Sequence, residues 1–203
     1  MSDERGDQEP RGAPGRLSRL RLAALLRRFP GKPVWAAFML INGFVTMALL
    51  AGLAMLTRTP FIFPSLGPTA FLLFFSPTAA SASPRNTLLG HAIGIVCGYG
   101  ALLLLGLEHA APAIMTGVDD PRILAAALSL AFTGALMILL DAAHPPAGAT
   151  TLIISLGIMT RPADLLVIEV AVALLTVQAF VINRLAGVDY PAWTAAKERV
   201  SPE

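Results

Sequence analysis

The stretch "DAAHPPAGATT", residues 141–151, holds a carboxylate and an imidazole where none is expected. Ile123–Leu140 before it carries no charge, and Leu152 to Met159 after it is apolar except for Ser155. A carboxylate surrounded by hydrocarbon is costly, so Asp141 requires a partner, water or a proton. His144 is near enough in sequence to serve, and Arg85 is a longer-range partner. An imidazole in such a place can act as a proton-responsive gate or as part of an anion site. The structural alternative is that His144 caps a helix end while Asp141 reaches interfacial water.

A second stretch resembles the first. Pro64, Gly67 and Thr69 in "PSLGPT" match Pro145, Gly148 and Thr150 in "PPAGAT" at an offset of 81 residues. Each copy lies between two long apolar runs, which reads as an internal duplication of the form long span, interrupted short helix, long span. Pro/Gly-interrupted segments at corresponding places in two halves point to a central binding site in a transporter. Proline ends the preceding helix and forces extended backbone before it. The next helix then starts inside the membrane with unpaired N–H groups and a partial positive charge, which suits an anion. Ser65, Gly67, Thr69, His144, Pro145, Pro146, Gly148 and Thr150 are the candidate binding residues; Asp141, His91 and Arg85 are candidates for gating or proton-linked roles.

Other polar and small residues have plainer uses. Gly90, Gly94 and Gly98 form a doubled small-x-x-x-small pattern, and Ala127, Ala131 and Ala135 repeat that spacing; both read as helix-packing faces. His91 is one position from the glycine face, placed to share a cavity with His144 or to bond a backbone carbonyl. Glu169, Thr176 and Asn183 share one helix face, as do Asn42 and Thr46, and interhelical hydrogen bonding accounts for most of them. Arg85 in "SPRN" either guides anions or anchors at the interface. H-E-x-x-H, G-x-S-x-G and phosphate-loop motifs are absent, so no catalytic residue, cofactor or metal is expected. Asp141 and His144 at i, i+3 leave only a weak metal option.

Four runs must position these residues: Val34–Leu56, Leu88–Leu107, Ile123–Leu140 and Leu165–Ile182. Each approaches the ~20 apolar residues needed to cross about 30 Å of hydrocarbon. Phe61–Phe75 and Ala147–Met159 are too short or too interrupted for an ordinary span. The expected fold is an all-α membrane protein: a bundle of four long transmembrane helices plus two short Pro/Gly-interrupted membrane segments, in two three-element halves. Six membrane segments, and so inverted halves, are preferred over four. Charge is 14% of 203 residues, with a net charge of +2, too little for a soluble globule and no argument for nucleic acid. Cys97 is the only cysteine, so an intrachain disulfide is excluded.

Eight of the fifteen basic residues precede Val34. Residues 1–15 read as a disordered tail. Residues 16–31 read as a basic amphipathic helix lying on anionic lipid, or as a solvated leader that only sets orientation. The positive-inside rule puts both ends in the cytoplasm, with residues 187–203 as a tail. The Arg-rich, Ala/Leu-rich composition suggests a bacterial inner membrane.

"FPSLGPTAFLLF", "SPRNTLLGHAIG" and above all "DAAHPPAGATTLI" resemble the HPP family of integral membrane proteins, named for the stretch seen here as His144-Pro145-Pro146. The likeness runs from about Pro33 to Leu185 and implies a transmembrane domain over 32–186. The family is usually described with four spanning helices, and some members carry CBS domains that this chain has no room for. Plastid and cyanobacterial relatives associated with nitrite transport imply a permease for a small monovalent anion, nitrite first among them. A non-transporting membrane scaffold or sensor is the alternative, and a membrane metalloenzyme a third. A homo-oligomer is compatible with either main reading.

Overall fold

The computed structural model describes residues 22–195, and the expectations for residues 1–21 and 196–203 lie outside them. Of the basic leader, only α1 (Leu22–Arg28) is described, with Leu22 buried and Arg28 exposed. The four apolar runs become α2 (Gly31–Thr57), α4 (Pro84–Leu104), α6 (Asp120–Leu139) and α8 (Pro162–Ala186). At 1.5 Å per residue they are roughly 30–40 Å long, enough to span the hydrocarbon layer. Between them lie two short helices, α3 (Leu66–Phe75) and α7 (Ala147–Ser155), and a single turn, α5 (Ala113–Thr116). Each short helix covers about 15 Å or less.

Helix starts follow their sequences. Ser83 caps α4 by accepting from the Asn86 N–H, and Pro84 occupies the first turn, where its missing N–H costs nothing. Asp119 caps α6 through the Arg122 N–H, with Pro121 following. The α6 helix is inside-out relative to a soluble helix. Arg122, Ala125, Ser129, Thr133 and Met137 face inwards, while Leu124, Phe132, Ile138 and Leu139 are exposed. Apolar exposure on this scale fits lipid contact. The alanine stripe contradicts its expected role: Ala127, Ala131 and Ala135 are exposed. Ser129 and Thr133, two positions away, take the packed face, where Thr133 meets Thr151 of α7.

Contacts at the two ends fix the path of the chain. At one face, here the near face, Arg85 at the start of α4 donates to the carbonyls of Leu140 and Asp141 at the end of α6. The Arg85 N–H meets the Trp193 carbonyl beyond α8, and Trp35 of α2, Phe75 of α3 and Gly187 line one cleft. At the far face, Arg122 at the start of α6 donates to Ser155 O at the end of α7, and to the carbonyls of Ala110 and Ala111 beyond α4. Thus α2, α4 and α7 run from near to far, and α3, α6 and α8 run back. Corresponding elements of the two halves run in opposite directions, as inverted repeats require. Packing obeys the same exchange: α2 lies on α3 as α6 on α7, α3 on α8 as α7 on α4, α2 on α8 as α6 on α4, and α4 meets α8 at the centre.

The short helices are tied at their carboxyl ends by side chains from long ones. Asn183 of α8, fully buried, donates to Leu73 O of α3 at 3.0 Å. Arg122, 2% exposed, serves α7 through Ser155 O at 3.1 Å. Gly157 permits this: its φ is +81°, and a Cβ there would lie 2.6 Å from the guanidinium. Arg122→Met should lower stability in SDS-titration unfolding by roughly 2–5 kcal/mol, since three carbonyls lose their donor. Arg161→Met, at an exposed site, should stay within about 0.5 kcal/mol.

Candidate functional site

The motif threonines of the two halves meet at one imidazole. His91, seven residues into α4, lies about 10 Å from the start of that helix. Its Nε2 is 2.9 Å from Thr69 Oγ1 of α3, and its Nδ1 is 2.8 Å from Thr150 Oγ1 of α7. Ser65 Oγ lies 2.7 Å from Thr150 Oγ1, and the Thr69 hydroxyl donates to Ser65 O at 2.8 Å. The His144 ring sits 5.0 Å from that of His91, centroid to centroid. Its Nδ1 is 2.7 Å from Ser81 O, and its Nε2 is 3.5 Å from Thr69 Oγ1. Ser65, Thr69, His91, His144 and Thr150 are all 0% exposed.

Glycine makes room for this cluster. A Cβ on Gly90 would lie 2.6 Å from His144 Cβ, so the α4 helix can carry His144 against its backbone only with glycine there. Gly94 and Gly98 similarly admit α7, fulfilling the packing role expected of them. Above the cluster at the near face is an open vestibule of about 780 Å³, lined among others by Ser83, Arg85, Asn86, Asp141, Ala143 and Thr194. Asn86 donates to Ala143 O, next to His144.

The HPP transmembrane-region family model matches residues 30–191. The chain belongs to the HPP family. An HPP chain of this kind is a multi-pass membrane protein, in keeping with its four long apolar helices. It is also similar to a transmembrane protein of Dictyostelium discoideum, 29% identical over 157 residues, which are 75% of this chain and 47% of that protein. The chain therefore spans about half the length of that curated relative. No solved structure matches it.

The family's His-Pro-Pro stretch divides between the cluster and the outside. His144 is in the cluster, Pro145 is exposed and Pro146 is the half-buried N-cap of α7. Gly67 is exposed, with nothing near a Cβ, and Gly148 is half-buried against Leu130. The two glycines therefore lie behind the first turns, and hydroxyls with imidazoles form the inner surface. The expected bare amide ends are largely closed: Leu66 N–H bonds Phe63 O, and the N–H groups of Ala147, Gly148 and Ala149 bond the carbonyls of His144, Pro145 and Pro146. Tight turns in the interrupted segments provide those acceptors locally.

Asp141 stands apart from the cluster in this HPP chain. It has φ +49°, a left-handed conformation that aspartate tolerates, and its side chain is exposed in the vestibule. Its carboxylate has no hydrogen bond or ion pair among the described residues; Arg85 takes its backbone carbonyl instead. His144 is not the cap of α6; Arg85 takes that place. Sequence reasoning missed Ser81, whose part is played by its carbonyl, and Arg122. One signal for Arg122 was available: an arginine in the first turn of a helix is disfavoured by the helix dipole, so it must be held by acceptors from elsewhere.

Proposed function

We propose that this protein is a permease for a small monovalent anion, with nitrite the first candidate, working in a bacterial inner membrane with its near face in the cytoplasm. One observation carries the reading: Thr69 and Thr150, equivalent in the two inverted halves, are both bonded to the buried His91. The α3 and α7 helices start beside this point and run to opposite faces, so two partial positive charges are directed at it. A buried polar cluster on a pseudo-two-fold axis between broken helices is the expected form of an alternating-access site. Full burial of the cluster favours a small ligand. The vestibule, with Arg85 and Asn86, provides an approach from the near face. The basic residues Arg27, Arg28 and Lys32 at that face support its cytoplasmic placement.

Nitrite uptake into proteoliposomes tests this. Thr69→Val with Thr150→Val removes both hydroxyls while keeping shape, and uptake should fall at least about tenfold, the effect of one lost hydrogen bond of ~1.4 kcal/mol. Val181→Ala on the exposed side of α8 should leave it unchanged. Full uptake by a folded double variant would remove the site.

A further inference from the structure

Two carbonyls settle where the protons lie in the buried cluster. Ser81 O can only accept, so His144 Nδ1 carries a hydrogen. Ser65 O can only accept, so the single Thr69 hydroxyl proton is spent there, at 2.8 Å. Thr69 Oγ1 must then accept from His91, which places a hydrogen on His91 Nε2. Neutral His91 accepts at Nδ1 from the Thr150 hydroxyl, and Thr150 in turn accepts from Ser65. Every group in this chain of bonds is satisfied except one. His144 Nε2 keeps a free lone pair; its neighbour Thr69 Oγ1 is 3.5 Å away with no proton to give.

The same cluster has no fixed positive charge. No ionisable residue lies on α3, α7 or the single turn Ala80–Ala82. Arg85 is committed to Leu140 O, Asp141 O and Asn86 at the near face, and Arg122 to carbonyls at the far face. An anion brought here without a counter-charge would meet a large desolvation cost. A proton added to the Nε2 lone pair turns His144 into an imidazolium. Its Nδ1–H stays on Ser81 O, and the new Nε2–H is free to donate to the anion. We infer that His144 Nε2 is the proton seat of this site, so that each anion crosses with one proton.

The inference rests on the permease reading above. The proton comes from water on one side, adds to the Nε2 lone pair without breaking another bond, and leaves with the anion on the other side, so no net charge moves. His91 is the poorer seat, because protonating its Nδ1 would force Thr150 to give up its donor role. The ionisable groups around His144 are His91 from α4, Arg85 and Asp141 at the vestibule, and Tyr190 beyond α8, whose hydroxyl donates to Ala82 O next to Ser81. The charged residues of α6 lie at its far end.

The test uses the full chain in proteoliposomes loaded with a pH dye, with nitrite as the probe and empty liposomes as the reference for passive entry. One proton should enter per nitrite, and an imposed potential of either sign should not change the rate. His144→Asn keeps an amide donor for Ser81 O but lacks the seat, and its remaining flux should lose proton co-movement. Nitrite entry that charges the vesicles and leaves the dye unmoved would overturn the inference and leave the permease reading standing. No nitrite entry above the reference would overturn the permease reading itself and the inference with it. A readout free of transport is ¹⁵N NMR of histidine-labelled protein: neutral His144 should show hydrogen on Nδ1 and a bare Nε2, and the opposite tautomer would overturn the assignment.

Discussion

His91→Leu should reduce nitrite uptake to the level of empty liposomes, a loss of at least about a hundredfold. The side chain is fully buried and is the common partner of α3 and α7. Leucine fills much of its volume and can bond neither threonine. The Thr150 hydroxyl then loses its imidazole acceptor and Thr69 loses the donor at its oxygen, which costs roughly 1–3 kcal/mol for each buried group left unpaired. Stability should therefore fall by about 2–5 kcal/mol in SDS-titration unfolding. Loss of stability and loss of transport can be separated with His91→Gln. A glutamine amide reaches one threonine but not both, so it should recover part of the stability and little of the uptake. A transport rate near wild type in folded His91→Leu would show that joining the two halves through this imidazole is irrelevant to the flux.

Much of this arrangement was legible in the residues, for a physical reason. Lipid imposes a length rule, so the four long runs translate directly into α2, α4, α6 and α8. Helix ends moved outward to their caps, at Ser83 and Asp119, because capping and proline placement reach beyond the apolar stretch. The repeat of Pro64, Gly67 and Thr69 in Pro145, Gly148 and Thr150 revealed the two halves and brought Thr69 and Thr150 forward as a pair, while their inversion followed from preferring six segments over four. It overstated the glycines: periodicity shows that a residue recurs, while the side of the turn it occupies depends on what packs there. The alanine stripe of α6 was misplaced for a related reason. Ala127, Ala131 and Ala135 have the spacing of a packing face, yet Ser129 and Thr133 lie inside, because Thr133 meets Thr151 across the helices at 2.9 Å. In lipid, hydrophobicity no longer separates inside from outside, and hydrogen bonding decides the orientation. Ser81 was out of reach, since it acts through a carbonyl that every residue carries.

Gly94→Leu should prevent assembly of the bundle. A Cβ at Gly94 would stand 2.8 Å from Thr151 Oγ1 and 2.9 Å from Ala147 O, and one at Gly98 2.9 Å from Thr151 O. Two of these three atoms are backbone of α7, so no rotamer change relieves the contact and the helices must part. Overpacking of this kind costs about 1–3 kcal/mol for a methyl and more for a larger group. Gly94→Ala should thus lower stability by about 2 kcal/mol, and Gly94→Leu should leave little folded protein after detergent extraction. Transport should be more sensitive than stability. Thr151, the residue that Gly94 admits, adjoins Thr150, so a few tenths of an ångström of separation weakens the 2.8 Å bond to His91. Gly94→Ala, though still folded, should therefore lose most of its uptake. Gly100 supplies the contrast on the same helix: it is exposed, and nothing lies within 4 Å of its Cβ position. Gly100→Ala should be neutral or stabilising by up to ~1 kcal/mol, from helix propensity alone. Equal damage at both positions would mean that α4 suffers from any added side chain, and that close approach of α7 is not what holds Thr150 to His91.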